Sequence, residues 1–192
     1  MAKETNISIV QDGDPVLRAI AAPVPLAEIK SKKIADVLAR MNMALDHEAD
    51  GVAIAAPQIG VSLRIFIVSR KAFAIENETE KNTKTVVPTK NMVVINPEII
   101  KLSRKKVEVP EGCLSVRWYY GNTRRHEKAT IRGYDENGKV FTYGGSELLA
   151  QIFQHEHDHL NGILFNDHAT DLEELTPEQI EEIERRNKEL AS

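Results

Sequence analysis

Cysteine is almost missing from this sequence. Among 192 residues the only cysteine is Cys113, so no disulfide bond can form within the chain. Disulfides persist in oxidising compartments, and their exclusion here is typical of a protein from a reducing compartment. A lone cysteine is in most proteins a small buried hydrophobic residue. Cys113 therefore needs other evidence before a chemical function is assigned to it.

Long apolar runs and an excess of one charge are also missing. No run of about 18 apolar residues is present to span a membrane, and the start MAKETNISIV has the character of neither a secretion signal nor a transit peptide. The net charge is −4, from 25 basic and 29 acidic residues, which argues against a nucleic-acid-binding surface. We therefore expect a cytoplasmic protein without a membrane partner or nucleic-acid specificity. The length suits one domain, spanning 1–192, with a hydrophobic core.

Several short segments have the composition of β-strands. Segments 64–69 and 92–96 are rich in β-branched residues and predict strands. Asn137-Gly138 lies between two stretches that alternate apolar and polar residues, which predicts a β-hairpin. The stretch 71–91 is polar and mixed in charge, so we expect an exposed loop there.

Helical patterns occur at three places. Apolar residues at helical spacing predict a helix over 34–45, with Gly51 placed to end it. A mostly apolar helix is predicted to follow Ser146, which is a suitable N-cap. The segment Thr176-Pro177-Glu178-Gln179 is a capping box and predicts a charged C-terminal helix over 176–192. One largely buried helix among strands indicates an α+β fold.

The apolar helix ends in QHEHDHLNG, in which three histidines fall within nine positions. His155 and His159 are four residues apart, so both imidazoles share one helix face and could bind one metal ion. Glu156 is then close enough to act on a metal-bound water without being a ligand, which is the H-E-x-x-H arrangement. His157 points elsewhere, and we expect it to be exposed. The alternative is a pair of helix histidines that are satisfied by hydrogen bonds.

The third metal ligand does not lie on this helix. A catalytic zinc or iron site takes three protein ligands and leaves an open position for water. His168 lies downstream, although its spacing does not match the metzincin proteases. Cys113 is the other candidate, and the residues alone leave the choice open.

Three segments together resemble the signature motifs of the peptide deformylase family, in the same order: GVAIAAPQIG at 51–60, EGCLSV at 111–116 and QHEHDHLNG at 154–162. DPVLRAIAAPV and GILFNDH are also similar to family segments, so the resemblance covers nearly the whole chain apart from 71–91 and the C-terminal end. It implies a peptide-deformylase-like α+β fold, with antiparallel sheets around a central metal-binding helix and a C-terminal helix.

The resemblance also implies roles for individual residues. The implied metal ligands are Cys113, His155 and His159. The implied catalytic groups are Glu156 as general base and acid, and Gln58 and the Leu114 N–H as donors to the developing oxyanion. The buried pair that supports the site is Glu111 and Arg125. The substrate-binding candidates are Gly51, Val52, Ala53, Gly112, Leu148 and Ile152, among which the two glycines would admit the peptide main chain and Val52, Leu148 and Ile152 would line a methionine pocket.

The implied activity is hydrolysis of the N-formyl group from the formylmethionine of newly synthesised peptides, with release of formate. The implied cofactor is one divalent metal ion, ferrous iron in the cell, although a thiolate ligand also admits Zn²⁺, Ni²⁺ or Co²⁺. The implied partners are the nascent N-formylmethionyl peptides and, through the C-terminal helix, the ribosome. We expect the protein to be a monomer.

Three positions depart from the family pattern. Ala53 replaces the second glycine of the first motif, Arg117 stands where the family often has proline, and Tyr120 replaces an arginine that contacts substrate. Two alternatives remain open at this point. One is a deformylase-like fold with reduced or lost activity, and the other is an H-E-x-x-H metallopeptidase, which would leave Cys113 and Gln58 unexplained.

Overall fold

A computed structural model describes residues 7–79 and 86–190. The first helix, α1 (Lys32–Asp46), begins at Ser31, whose hydroxyl accepts a hydrogen bond from the Ile34 N–H. Its predicted apolar stripe is buried and contributes to a core cluster with β-strand residues. The helix ends at Asp46, so the prediction that Gly51 ends it was wrong. Gly51 instead packs tightly, because a Cβ there would lie 3.0 Å from Glu48 and Leu45 side-chain atoms.

Eight strands in the described part of the chain form two antiparallel sheets. In chain order they are β1 (Ala53–Ala55), β2 (Ile65–Val68), β3 (Met92–Leu102), β4 (Lys106–Gly112), β5 (Tyr119–His126), β6 (Lys128–Tyr134), β7 (Val140–Ser146) and β8 (Thr170–Glu174). One sheet has the order β1-β2-β3-β6-β7 and the other has the order β4-β5-β8. Strands β1 and β4 are therefore both edge strands, and one side of each has no neighbouring strand among the described residues.

The predicted strands and hairpin are confirmed. Strand β2 lies within the first β-branched segment and β3 begins with the second, and the two strands pair in register from Ile65↔Ile95 to Val68↔Met92. Strands β6 and β7 form the predicted hairpin, and Gly138 in its turn has φ 73°, a conformation that glycine adopts without a steric penalty.

The central helix, α3 (Glu147–His159), packs on the five-stranded sheet. Leu149, Ile152 and Phe153 on its inner face join a core cluster with residues from β1, β2, β3 and β6. Ser146 is the N-cap residue but makes no side-chain capping bond.

A helix, α2 (Arg70–Thr79), occupies the first half of the segment predicted to be an exposed loop. Ala72 and Phe73 are buried in the core, and the buried Glu76 carboxylate accepts hydrogen bonds from the Leu149 N–H at 3.1 Å and the Ser146 hydroxyl at 3.3 Å. The loop prediction for 71–91 was therefore wrong over 71–79, because a few inward residues anchor an otherwise polar segment. Residues 80–85 lie outside the described residues.

The last helix, α4 (Pro177–Leu190), begins where the capping box predicted. The Thr176 hydroxyl accepts from the Gln179 N–H, and the Gln179 side chain accepts from the Thr176 N–H. The final two residues of the predicted 176–192 helix lie outside the described part of the chain. Within the part that the structure describes, no helix is long and apolar enough to cross a membrane.

Candidate metal centre and cleft

Three candidate metal ligands converge at the centre of the fold. Cys113 lies on the turn that follows β4, while His155 and His159 occupy the last turns of α3. The Cys113 Sγ is 3.2 Å from His159 Nε2, which is 3.1 Å from His155 Nε2. All three ligand atoms lie within 4.8 Å of one another. The third candidate ligand is therefore Cys113, whereas the exposed His168 is not part of the cluster.

The cluster has the dimensions of a metal site. Two imidazole nitrogens bound tetrahedrally to one ion at about 2.0–2.1 Å would be about 3.3 Å apart, which is close to the observed spacing. One thiolate and two imidazoles form a donor set of intermediate softness, suited to Zn²⁺, Fe²⁺, Co²⁺ or Ni²⁺. The residues present therefore fit one divalent metal ion.

Glu111 fixes the orientation of one of these imidazoles. His155 Nδ1 lies 2.6 Å from the Glu111 carboxylate, so donation from Nδ1 leaves the lone pair of Nε2 facing the cluster. Glu111 also accepts hydrogen bonds from Arg125 Nε and Nη2, at 2.9 and 2.6 Å, and from the Thr123 hydroxyl at 2.6 Å. Burial alone would raise the pKa of Glu111, but the hydrogen bonds and charges of Arg125 and His155 hold it well below its ordinary value.

Asp158 completes the support of the site, and the sequence interpretation did not assign it a role. Its carboxylate accepts from Arg125 Nη1 at 2.6 Å, so Arg125 binds two acids at once. The only available signal was its place inside the third motif. The neighbouring His157 is half-buried against Arg64 and Asn161, so the prediction that it is exposed was wrong.

Glu156 is a buried carboxyl group beside the cluster. It is 3% exposed, and its Oε2 atom has no hydrogen-bond partner among the described residues. Burial raises the pKa of Glu156 to about 7, against the lowering effect of His155. A carboxyl group with a pKa near neutrality can both accept and return a proton at physiological pH.

Gln58 presents its amide nitrogen to the same site. It belongs to a one-turn 3₁₀ helix, Ala56–Ile59, that follows β1. Its Oε1 accepts from the Ala55 N–H at 2.8 Å, which fixes the amide so that Nε2 faces Ser115 Oγ at 3.2 Å and Cys113 Sγ at 3.6 Å. The geometry therefore aims a hydrogen-bond donor toward the metal cluster.

A cleft of about 190 Å³ leads to the cluster between the two sheets. Twelve of the fourteen predicted site residues line it: Gly51, Val52, Ala53, Gln58, Glu111, Gly112, Cys113, Leu114, Leu148, Ile152, His155 and Glu156. The other two, His159 and Arg125, are buried behind it. The sequence interpretation did not place Pro110, Val116, Trp118, Tyr119 and Gln151 in this lining, because nothing in their local pattern marks a cleft.

The structure gives a different reason for one predicted glycine. A Cβ at Gly112 would lie 2.5 Å from the ring of Tyr120, its partner across β4 and β5. Gly112 is therefore required to make room for this ring, whereas we had expected it to make room for the peptide main chain.

A thiolate and two imidazoles beside a buried carboxyl group, in a cleft open to solvent, define the class of metal-dependent hydrolases. The α+β fold has antiparallel sheets around the helix that carries the two histidines, as predicted.

Comparison with known proteins identifies the family. The family model described as Polypeptide deformylase matches residues 7–175. The peptide deformylase of Bartonella quintana (strain Toulouse) is 38% identical over 82% of this chain and 80% of its own length. Peptide deformylase 1A, chloroplastic, of Solanum lycopersicum is 36% identical over 86% of this chain, but the chain spans only 60% of that protein. The chain belongs to the polypeptide deformylase family.

A solved structure supports the same assignment. The Met-Ala-Ser-bound crystal structure of class I type b peptide deformylase from Acinetobacter baumannii superposes with a TM-score of 0.72. That chain is 31% identical, and the match covers 84% of this chain and 97% of the other. The predicted fold class is thereby confirmed.

Proposed function

We propose that this protein is a metal-dependent peptide deformylase, which hydrolyses the N-formyl group of the starting formylmethionine of new peptides and releases formate. The observation that carries the proposal is the cluster of Cys113, His155 and His159 beside the buried Glu156. Family membership supports it. We also propose that the chain forms a single domain over 1–192.

The substrate is an extended peptide. Strands β1 and β4 are the open edges of the two sheets, and residues at both edges line the cleft. A peptide between them can add as a strand to either edge through main-chain hydrogen bonds, with its side chains in alternate pockets. Val52, Leu148 and Ile152 form apolar lining for the methionine side chain. The Acinetobacter baumannii relative was solved with Met-Ala-Ser bound.

Cys113, His155 and His159 would hold one divalent metal ion. When bound, such an ion supplies Lewis-acid polarisation and makes a water molecule acidic enough to lose a proton near neutral pH. Glu156 accepts that proton during attack on the formyl carbon and returns it to the leaving amine. Its pKa near 7 suits both transfers.

Two hydrogen-bond donors stabilise the charge that develops on the formyl oxygen. Gln58 Nε2 faces the cluster because its Oε1 is tied to the Ala55 N–H. The Leu114 N–H immediately follows Cys113 in the chain and is the second donor. Loss of one such donor typically slows the reaction by about 10²–10³-fold.

Ferrous iron is the proposed metal in the cell, and zinc, nickel and cobalt are substitutes that the same donor set accepts. An iron–thiolate pair is sensitive to oxygen, because both the ferrous ion and the thiolate oxidise. Metal analysis after anaerobic purification distinguishes these ions.

We further propose a cytoplasmic monomer whose partners are nascent peptides and, through the exposed charged face of α4, the ribosome. Pelleting with ribosomes tests the last point.

The activity is tested by formate release from formyl-Met-Ala-Ser by the protein purified without oxygen. Glu156→Ala should lower kcat by roughly 10²–10⁴-fold while the metal content stays unchanged. Glu184→Ala, an exposed carboxylate on α4, is the matched control and should not change kcat.

Two outcomes would contradict the proposal. Formate release that survives Glu156→Ala would refute the role of this carboxyl group. A wild-type protein that binds metal but releases no formate would favour the alternative of a deformylase-like fold without activity, and cleavage of an unblocked peptide in its place would favour a metallopeptidase.

A further inference from the structure

Arg117 links two segments that line the cleft from different sheets. It lies on the connection between β4 and β5, and its Nη1 donates to Asp50 Oδ2 at 2.9 Å. Its Nη2 donates to Glu48 Oε2 at 2.5 Å and to Asp50 Oδ1 at 3.4 Å. Glu48 and Asp50 belong to the turn between α1 and β1, so one guanidinium joins the approaches to both edge strands.

This contact differs from an ordinary surface ion pair. The side chain of Arg117 is 15% exposed, and those of Glu48 and Asp50 are 19% and 18% exposed. The guanidinium carbon also lies 4.6 Å from the ring centroid of Trp118, within cation–π distance. Exposed ion pairs contribute little because water and salt screen them, whereas removal of Arg117 would leave two shielded carboxylates without their cation.

Helix α4 supports the same turn. The Asn187 side chain donates from Nδ2 to Glu48 Oε2 at 2.7 Å and accepts from the Ala49 N–H at 2.8 Å through Oδ1. The last turn of α4 is thus hydrogen-bonded to the turn that precedes β1. The groove between α4 and the cleft is lined in part by Tyr120, which also lines the cleft itself.

Tyr120 connects this network to β4. Its ring covers Gly112, which immediately precedes Cys113. Burial and the neighbouring Asp50 carboxylate raise the pKa of Tyr120. Asp50 therefore interacts with both Arg117 and Tyr120, which belong to the β4–β5 connection and to β5.

We propose that Arg117 is a positioning residue, which holds edge strands β1 and β4 at the separation that an extended peptide needs, and that Asn187 makes α4 part of this support. The proposal deepens the proposed function and rests on it, because the positioned groups are those that bind the peptide. It assigns α4 a contribution to peptide affinity that requires no ribosome. A substrate that touches both strands depends on the separation more than one that consists of a single residue.

The test compares KM, kcat and substrate length in purified, metal-loaded protein without ribosomes. Arg117→Met should raise KM for formyl-Met-Ala-Ser by at least about tenfold, which corresponds to about 1.4 kcal/mol, while kcat stays within about threefold. The rise for N-formylmethionine should be several-fold smaller. Arg117→Lys should give an intermediate KM, because it keeps one cation near the two acids. Asn187→Ala should raise KM by about threefold.

Matched controls separate this effect from general loss of structure. Arg132→Met removes an exposed ion pair with Glu98 on the surface, and Lys188→Ala changes the exposed neighbour of Asn187; neither should change KM. Unfolding temperature and metal content are measured for every variant. If Arg117→Met fails to fold, the KM values of Arg117→Lys and Asn187→Ala decide whether Arg117 positions the two edge strands.

Affinity for Met-Ala-Ser, measured by calorimetry, provides a readout that does not require catalysis. Arg117→Met should weaken it by about tenfold, to match the rise in KM. The proposal is overturned if KM and this affinity change by less than twofold in the folded Arg117 variants, or if KM rises equally for both substrates. Absence of formate release by the wild type would refute the proposed function, and the peptide affinities would still decide the role of Arg117.

Discussion

Replacing Glu111 by glutamine removes the negative charge that links His155, one of the three candidate metal ligands, to Arg125. The Glu111 carboxylate accepts hydrogen bonds from two nitrogens of Arg125, from the Thr123 hydroxyl and from His155 Nδ1. All these groups donate, whereas a glutamine side chain offers one oxygen and an NH₂ group that is itself a donor. In the glutamine variant, the NH₂ group must therefore face at least one of these four donors, and that hydrogen bond is lost.

The structure sets the size of the expected effect. Loss of a partner that orients a metal-binding histidine typically lowers metal affinity by about 10–100-fold, which is roughly 1.4–2.7 kcal/mol. Breaking a buried ion pair costs about 3–5 kcal/mol of folding stability. Because Arg125 keeps Asp158 as a second partner at 2.6 Å, we expect the free energy of unfolding to fall by about 3 kcal/mol, at the lower end of this range.

Two measurements check the prediction. Competition with a coloured chelator gives the zinc affinity, and urea unfolding of the metal-free protein gives the free energy of unfolding. Glu98→Gln is the matched control, because Glu98 pairs with Arg132 on the exposed surface and should change stability by less than about 0.5 kcal/mol. If Glu111→Gln keeps wild-type zinc affinity, our account of how the His155 imidazole is oriented is wrong.

Other substitutions test the elements around the site. Glu76→Ala should lower the free energy of unfolding by about 1–3 kcal/mol, because the buried Leu149 N–H loses its charged acceptor; a loss below 0.5 kcal/mol in urea unfolding would contradict this. Gly162→Ala should cost at least about 2 kcal/mol, since φ is 73° and a Cβ would lie 2.4 Å from the Arg18 carbonyl oxygen. Wild-type thermal stability in the Gly162→Ala variant would contradict this prediction, because it would show that the turn after α3 can move to admit the Cβ. Asp167→Asn should cost about 0.5 kcal/mol at pH 7, because the exposed ion pair with Arg18 is lost while the amide oxygen still accepts from the Leu164 N–H. Burial opposes the shift, but the Leu164 N–H and Arg18 lower the pKa of Asp167 below its ordinary 3.8. Its stabilising effect is therefore complete above pH 3.8 and disappears as the pH falls through the folded value, so the two unfolding curves should converge in acid and not at neutral pH.

Local spacing was enough to predict the histidine pair. An α-helix places residues i and i+4 on one face whatever the rest of the chain does, so His155 and His159 had to converge once α3 formed. Cys113 is different, because 42 residues separate it from His155 and no local period relates the two. Only the resemblance of the three motifs indicated that it joins the cluster, and the geometry agrees.

The misses share one physical cause, which is that a contact between distant segments outweighs local composition. Helix α2 is polar overall, yet buried Phe73 and Glu76 attach it to the core and to the start of α3. Asp158 lies within a recognised motif, but its role depends on Arg125 from β5. Asn187 is one polar residue on a charged helix, and only the fold brings it to Glu48.

The buried charges explain why the metal and its support belong together. If Cys113 binds the proposed metal as a thiolate, the carboxylates of Glu111 and Asp158 and the cation Arg125 bring the net charge of this group without the metal to −2. Charges in a shielded site are costly unless they are balanced, and one divalent ion balances these two. A monovalent ion would leave this group of residues with a net negative charge. The charges of this chain's own residues would therefore favour a dication at the cluster.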